Sequence, residues 1–305
     1  MQEQKLYLNL ESPQFQVGSI NTALMRITPG LKIYLDKQVK DRILLSAGVC
    51  RVETLNGVVC KSPTFIPQKP WRNPTKEENE ILTATKNDLS SHQTVGIVKL
   101  PGNLAAKFKK LDFSNCKNHY EISTLSATNE YKTLLNETIS YYEKFSDTKN
   151  SSIPHNIYLG DANLLNNTFN QKEKTFIGLH LDSFERNSET REGARNRICI
   201  NLGKDPRYLL FYNLQFDQMA EMCNMKKVDR NGNPYEILHA FFERFNSYPV
   251  IKIQINPYEA YIAPTENVIH DGSTEGTKNL DVNLAIRGYF KIPKSNNLFT
   301  NIFKI

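Results

Sequence analysis

Hydrophobic and polar positions follow different patterns in the two halves of the chain. In the first half, short apolar runs such as "KIYLD" (32–36) and "RILLSAGVCRVETL" (42–55) predict strands, and an Asn-Gly turn signal directly follows the second run. Within residues 125–145, apolar side chains recur every three to four positions, which predicts a helix with one core-facing stripe. Residues 67–80 are rich in proline and charge, so we expect a surface loop there.

From about residue 155 the pattern is dominated by short strands. Apolar runs such as "TFIGLHLD" (175–182), "RICINLG" (197–203) and "VNLAIRGYFKI" (282–292) are separated by Gly, Pro and Asn, and two helical stretches interrupt them. Many short strands are typical of a sandwich or jelly roll rather than of an alternating βαβ sheet. We therefore predict a mostly β fold with flanking helices, built on a double-stranded β-helix (jelly-roll or cupin-like) core.

The predicted organisation is one compact unit made of two parts. Residues 1–154 supply strands and helices that pack on the core, and residues 155–305 contain the β-helix itself. A chain of 305 residues can bury a sizeable apolar core in such an arrangement. The sequence has no internal repeat that would favour a solenoid.

Composition and charge argue against several classes of protein. The chain is 39% hydrophobic and 23% charged, as in globular proteins, and its net charge of +6 comes from dispersed lysines rather than a nucleic-acid-binding stripe. No apolar stretch is long enough to span a bilayer, and the first residues lack a signal-peptide pattern. The five cysteines are an odd number without C-x-x-C spacing, which argues against a disulfide framework. We expect a cytoplasmic protein with no membrane partner; nothing indicates its oligomeric state.

Two polar side chains stand out in the apolar stretch 176–182. His180 and Asp182 are two positions apart, so in an extended strand they project from the same face. This geometry suits metal binding, and it equally suits a salt-bridged pair at the end of a strand. The pair alone does not decide between the two interpretations.

Two further polar residues lie in predicted strands of the same half. His270 follows the apolar stretch "AYIAPTENVI", and Arg287 lies in "VNLAIRGYF", where a charge is costly unless it is paired. Two imidazoles and one carboxylate on one side of a metal leave three coordination positions open, as in non-haem Fe(II) oxygenases. A buried guanidinium offers a planar fork for a carboxylate. The alternatives are a turn histidine at 270 and an ion pair of Arg287 with Asp281.

At these four residues the chain resembles the Fe(II)/2-oxoglutarate-dependent oxygenase superfamily. The superfamily pattern is His-x-Asp/Glu, a distal His and a later Arg on a double-stranded β-helix. It is matched here over residues 155–292. The resemblance implies Fe(II), 2-oxoglutarate and O2 as cofactors. It also implies that His180, Asp182 and His270 bind iron, and that Arg287 binds the distal carboxylate of 2-oxoglutarate. The segments "GLHLDSFERN" and "YIAPTENVIHDGST" are similar to bacterial free-amino-acid hydroxylases and radical halogenases.

Five other polar residues are candidates for contacts with small molecules. Arg195 and Arg197 occupy alternate positions of one predicted strand, and Asn201 shares their face if the strand is regular. We assign Arg197 and Asn201 to the cosubstrate. Arg195, together with Glu266 and Asp271 beside the distal histidine, is assigned to the substrate.

The presence of Asp182 indicates which reaction the resemblance implies. Radical halogenases have a small residue in place of the metal-binding carboxylate, whereas this chain keeps the carboxylate. We therefore predict an enzyme that hydroxylates an unactivated C–H bond of a small molecule, most plausibly a free amino acid, with succinate and CO2 as coproducts. Three alternatives stay open: desaturation or oxidative cyclisation by the same iron centre, demethylation of nucleic acid or protein, and ligand binding without oxidation.

Overall fold

The computed structural model describes residues 27–35, 42–84, 92–146, 155–182, 191, 194–225 and 234–292. Within them it has fourteen strands and six α-helices. The strands are β1 Lys32–Leu35, β2 Ile43–Leu45, β3 Gly48–Leu55, β4 Val58–Gln68, β5 Thr94–Lys99, β6 His155–Gly160, β7 Phe169–Asn170, β8 Thr175–Phe176, β9 Asn196–Asn201, β10 Arg207–Gln215, β11 Ile251–Ile255, β12 Glu259–Ala263, β13 Val268–Ser273 and β14 Asp281–Gly288. The helices are α1 Lys76–Leu82, α2 Gly102–Leu111, α3 His119–Ala127, α4 Asn129–Glu143, α5 Phe216–Met222 and α6 Pro234–Arg244.

Two sheets form the centre of the molecule. The larger has six strands in the order β1-β5-β12-β9-β14-β6, and the smaller has four in the order β13-β10-β11-β2. Consecutive strands pass from one sheet to the other: β9 lies in the large sheet, β10 and β11 in the small one, β12 in the large, β13 in the small and β14 in the large. The predicted mostly β fold with helices is confirmed.

Apolar side chains between the two sheets form the innermost core. Cys199 and Tyr261 of the large sheet pack there against Leu209, Phe211 and Ile253 of the small sheet. Successive residues of a strand point to opposite faces. The residues in between point away from the other sheet. They are apolar as well, and they pack against helices. The alternation of the two faces explains why these strands read as nearly continuous apolar runs.

Helices cover the outer faces of both sheets. Side chains of α2, α3 and α4 pack on the outward positions of β9, β12 and β14. Helices α5 and α6 pack in the same way on β10 and β13. Within the described residues, no helix is long and apolar enough to cross a membrane.

The two predicted parts of the chain share both sheets. Strand β1 pairs with β5 and β5 with β12, so the first part supplies the edge of the large sheet. Strand β2 pairs with β11 at the edge of the small sheet. A division at residue 154 therefore does not separate two independent sheets.

Local structure in the first part differs from the sequence prediction at two places. The expected single helix over 125–145 is divided, because Thr128 ends α3 and caps α4 by accepting a hydrogen bond from the Tyr131 backbone N–H at 3.2 Å. The expected loop at 67–80 contains the start of α1, which Thr75 and Glu78 open with a reciprocal capping box. The Asn-Gly signal is correct, and the two residues form the turn between β3 and β4.

Truncating a side chain between the sheets is expected to remove a large part of the stability of the fold. Phe211 is fully buried in the innermost core, so Phe211→Ala leaves a cavity and should lower the free energy of unfolding by about 3–5 kcal/mol. Equilibrium urea unfolding followed by circular dichroism measures this change. Val59→Ala is the matched control, since Val59 is 72% exposed on the β3–β4 ribbon. A loss below about 1 kcal/mol for Phe211→Ala would contradict the two-sheet core.

Candidate metal centre

Three buried side chains converge at one end of the space between the sheets. His180, Asp182 and His270 each offer a ligand atom, and these atoms all lie within 4.8 Å of one another. His180 Nε2 is 4.0 Å from Asp182 Oδ1, and His270 Nε2 is 3.9 Å from Asp182 Oδ2. The structure thus brings together the three residues predicted as metal ligands. Their role as ligands stays a prediction.

Backbone pairing positions the two histidines side by side. An isolated antiparallel bridge joins residues 180 and 270, with each backbone N–H donating to the other residue's carbonyl at 3.0 and 2.8 Å. Residues 176–182 are less regular than the predicted strand, because Gly178 adopts a φ of +73° and lies against the carbonyl of Phe65. A Cβ at Gly178 would come within 2.6 Å of that oxygen. Beyond this bend, His180 and Asp182 still point to the same side.

Hydrogen bonds at the inner ring nitrogens fix the orientation of both imidazoles. His180 Nδ1 lies 2.7 Å from the Gly178 carbonyl oxygen, and His270 Nδ1 lies 3.0 Å from that of Val268. A carbonyl only accepts, so Nδ1 carries a proton and donates it; in the neutral ring this tautomer leaves the Nε2 lone pair available. Both Nε2 atoms point toward the carboxylate of Asp182.

Charges and burial keep Asp182 and His270 in the protonation states that a metal requires. Burial opposes ionisation of Asp182, but Arg197 and the two imidazoles outweigh it and hold the pKa of this carboxyl below its ordinary value. Arg197 Nη2 lies 2.6 Å from Asp182 Oδ2. Burial lowers the pKa of His270 to about 3, so this imidazole is neutral at physiological pH.

The donor set fits a divalent transition metal. His270 Nε2 is buried and has no hydrogen-bond partner among the described residues, a costly state for a polar atom without a ligand. Two imidazole nitrogens and one carboxylate form the facial set of non-haem Fe(II) sites, which leaves three positions open.

A cavity of about 600 Å³ extends from the three side chains into the space between the sheets. Its wall at the metal end includes Arg197 and Asp182, and its far end includes Arg207 and Asp281. Strand β10 places Arg207 on the same face as Phe211, and Phe211 is paired in register with His270. At about 3.3 Å per residue, the Cα of Arg207 is about 13 Å along the strand from the level of His270.

The far end of the cavity holds a buried cation. Arg207 Nε lies 3.1 Å from Asp281 Oδ1, and Arg207 Nη1 lies 2.8 Å from the sulfur of Cys199. Burial alone would lower the pKa of this guanidinium, but Asp281 raises it above the ordinary value, so Arg207 is charged. Asn167 donates to Asp281 Oδ2 at 3.1 Å. A Cβ at Gly272 would come within 2.2 Å of Asn167 Oδ1, so a larger residue there would displace the Asn167 side chain.

Arg287 does not line the cavity as the described residues define it. It lies in register with Arg197 on the neighbouring strand, which is the level of Asp182. Its Nη2 atom is 2.6 Å from Glu266 Oε1. The alternative considered from the sequence, an ion pair of Arg287 with an acidic neighbour, therefore holds with a different partner, because Asp281 pairs with Arg207.

Of the predicted cosubstrate and substrate contacts other than Arg287, Arg197 lines the cavity. The other four lie outside the wall formed by the described residues: Arg195, Asn201, Glu266 and Asp271. Asn201 faces the interior, but its amide donates to the carbonyls of Asp205 and Ile255, which makes it a structural residue. Asp271 points to the opposite face from His270 and accepts hydrogen bonds from Asn166 at 2.6 Å and from the Thr168 hydroxyl. Glu266 pairs with Arg287, and Arg195 is half-buried just before β9.

Sequence reasoning missed Arg207, although the signal was present. The segment "DPRYLLFYNL" (205–214) contains an arginine at the start of a long apolar strand. The rule that singled out Arg287, that a charge in an apolar strand needs a partner, applies equally to Arg207. Tyr261 and Cys199 also line the cavity without having been identified.

Comparisons with known proteins give only a distant likeness. No protein-family model matches the chain, and no curated protein matches it. Among solved structures, the apo form of the Kdo hydroxylase KdoO, a non-heme Fe(II) alphaketoglutarate-dependent dioxygenase, is 13% identical with a TM-score of 0.36, covering 65% of this chain and 80% of that one. Its complex with alphaketoglutarate and Fe(III) gives the same values, and its cobalt(II) complex gives 14% and 0.34. A likeness at this level establishes neither the activity nor the substrate.

Metal binding is expected to stabilise the protein through these three side chains. A divalent metal such as Co(II) or Fe(II) at a hundredfold excess over Kd should add about 2.7 kcal/mol to the free energy of unfolding. Asp182→Ala removes the carboxylate and should abolish the shift in thermal midpoint, which differential scanning calorimetry measures. Glu53→Ala, which removes an exposed carboxylate on β3, should keep the full shift. An equal shift for Asp182→Ala and the wild type would place the metal elsewhere.

Proposed function

We propose that the chain is an Fe(II)/2-oxoglutarate-dependent oxygenase that hydroxylates a C–H bond of a small molecule. The observation that carries this proposal is one cavity with a two-histidine, one-carboxylate set at one end and a buried arginine at the other. A five-carbon keto-diacid needs both features, because one end chelates the metal while the other is an anion.

The strand order supports a double-stranded β-helix as the core. Strand β6, the segment around His180, and then β9 to β14 give eight passes of the chain distributed over the two facing sheets. His180 and His270 lie on adjacent passes of the small sheet, and β9 and β14 are adjacent in the large one. This arrangement supports the double-stranded β-helix that the resemblance to the oxygenase superfamily implies.

Each residue at the metal end has a distinct task in this proposal. His180, Asp182 and His270 would hold Fe(II), which supplies the activation of O2 and the oxidation of the substrate when it is bound. Arg197 keeps one oxygen of Asp182 oriented through its 2.6 Å ion pair. By the resemblance, radical halogenases have a small residue at the position of Asp182. The carboxylate present here favours hydroxylation.

In place of Arg287, we assign the distal carboxylate of 2-oxoglutarate to Arg207. Arg207 lines the far end of the cavity and is held by Asp281, whereas Arg287 lies at the level of the metal and pairs with Glu266. The separation of about 13 Å along β10 is spanned by an extended diacid and the side chain of arginine together. Asp281, which accepts a hydrogen bond from Asn167, pairs with the guanidinium of Arg207, and Arg207 lines the cavity.

The narrower prediction of a free amino acid as substrate finds little support at the site. The two acidic residues assigned to the substrate, Asp271 and Glu266, are engaged with other partners. Arg195, also assigned to the substrate, is outside the cavity wall that the described residues form. The proposal therefore keeps a small-molecule substrate and does not require an amino acid.

Binding of 2-oxoglutarate to the Fe(II)-loaded protein under anaerobic conditions tests the proposal without turnover. Chelation of Fe(II) by a 2-oxo acid gives a visible metal-to-ligand charge-transfer absorption, which we expect for the wild type. Arg207→Gln should weaken 2-oxoglutarate binding by about 100-fold, since it removes one partner of a buried charge contact. Arg287→Gln, a matched change on β14, should leave this affinity within threefold.

Because Arg207→Gln leaves Asp281 without its partner, the double variant with Asp281→Asn serves as the check on folding. It should regain native stability in urea unfolding and still bind 2-oxoglutarate weakly. Admission of O2 should then yield succinate for the wild type and none for Asp182→Ala. If the iron-loaded wild type gives no charge-transfer band, the assignment to this class fails. If Arg287→Gln rather than Arg207→Gln weakens 2-oxoglutarate binding, then Arg287 binds its distal carboxylate.

A further inference from the structure

Exposed aromatic side chains concentrate at the rim of the cavity. Four large apolar side chains are exposed among the described residues: Val59, Tyr120, Tyr158 and Tyr235, at 72%, 80%, 44% and 39%. Two of them, Tyr158 and Tyr235, line the cavity, and Tyr120 follows His119, which also lines it. Exposed aromatic rings at the mouth of a cavity are typical of ligand contact surfaces, because a ring presents a flat apolar face at low entropic cost.

Amide side chains line the same cavity as these rings. Tyr158 and Asn156 are alternate residues of the edge strand β6, so both face the cavity. The β7–β8 hairpin adds Asn170 and Gln171 to the cavity wall. A primary amide both donates and accepts hydrogen bonds, so it matches hydroxyl and amide groups of a ligand rather than a single sign of charge.

The charges of the cavity are already balanced within it. The ionised residues in the described part of its wall form two ion pairs, Asp182 with Arg197 and Asp281 with Arg207. The +2 charge of Fe(II) and the −2 charge of 2-oxoglutarate would cancel each other. A substrate with a net charge would thus find no counter-charge on this wall, and desolvating a charge without a partner is costly.

From these three observations we infer that the substrate is an uncharged, hydroxyl-rich ring compound, such as a glycoside or nucleoside, which stacks on Tyr158 and Tyr235. This inference rests on the proposed function, because the charge balance includes the metal and its cosubstrate. The aromatic faces would contact the apolar face of the ring, and the amides of Asn156 and Gln171 would bond its hydroxyl groups. The cavity of about 600 Å³ leaves room for such a ring beside 2-oxoglutarate.

Saturation-transfer NMR on protein loaded with 2-oxoglutarate and redox-inactive Zn(II) tests this inference without catalysis. The probes are methyl β-glucopyranoside, N-acetylglucosamine and uridine as uncharged ring compounds, lysine and glutamate as charged amino acids, and a single-stranded oligodeoxynucleotide. We expect at least one uncharged probe to bind more tightly than every charged probe. Tyr158→Ala should weaken that binding about tenfold through loss of the stacking contact. Tyr120→Ala removes a more exposed tyrosine that lies outside the wall, so it should change this binding less than twofold.

Three results would overturn the inference: tighter binding of an amino acid or the oligonucleotide, no binding of any uncharged probe, or equal binding by the wild type and Tyr158→Ala. Each of these leaves the proposed function standing if the Fe(II)-loaded protein shows the 2-oxoglutarate charge-transfer band. Absence of that band would instead remove the proposed function, and the inference about the substrate with it.

Discussion

The candidate centre depends on the antiparallel contact between residues 180 and 270. Two short backbone hydrogen bonds, at 3.0 and 2.8 Å, hold two chain segments ninety positions apart so that their imidazoles face the same point. Asp182 then follows on the same side, and its own N–H donates to the Thr265 carbonyl at 3.1 Å. The ligand geometry is therefore a property of the backbone, fixed before any metal binds, so little ordering has to accompany binding.

Charge pairing within the space between the sheets complements this backbone geometry. Arg197 and Arg207 are both buried or nearly so, and each has one carboxylate as its main partner. A buried cation without such a partner would be strongly destabilising. The same pairs divide the cavity into an end that suits a metal and an end that suits an anion, so stability and the arrangement of ligand-binding groups come from the same contacts.

The sequence was sufficient for the part of the site that depends on local spacing. His180 and Asp182 share a face because strand side chains alternate, and this held even where Gly178 bends the chain. It was insufficient for the anion end, because spacing along the chain does not reveal register between strands. Arg287 follows His270 as expected, yet β14 runs so that Arg287 lies at the level of the metal, while Arg207 enters from β10. Asp271 is a different case, because adjacent residues of a strand point to opposite faces, and it therefore lies away from the face of His270 and bonds Asn166 instead.

The β3–β4 ribbon has a mechanical consequence for the rest of the molecule. The carbonyl of Phe65 accepts the N–H of Leu179 at 2.9 Å, so a segment from the first half of the chain braces the residue next to His180. Without the ribbon, the backbone N–H of Leu179 would lose this partner, directly beside the imidazole of His180. The first half of the chain therefore supports the candidate centre through the backbone of the β3–β4 ribbon.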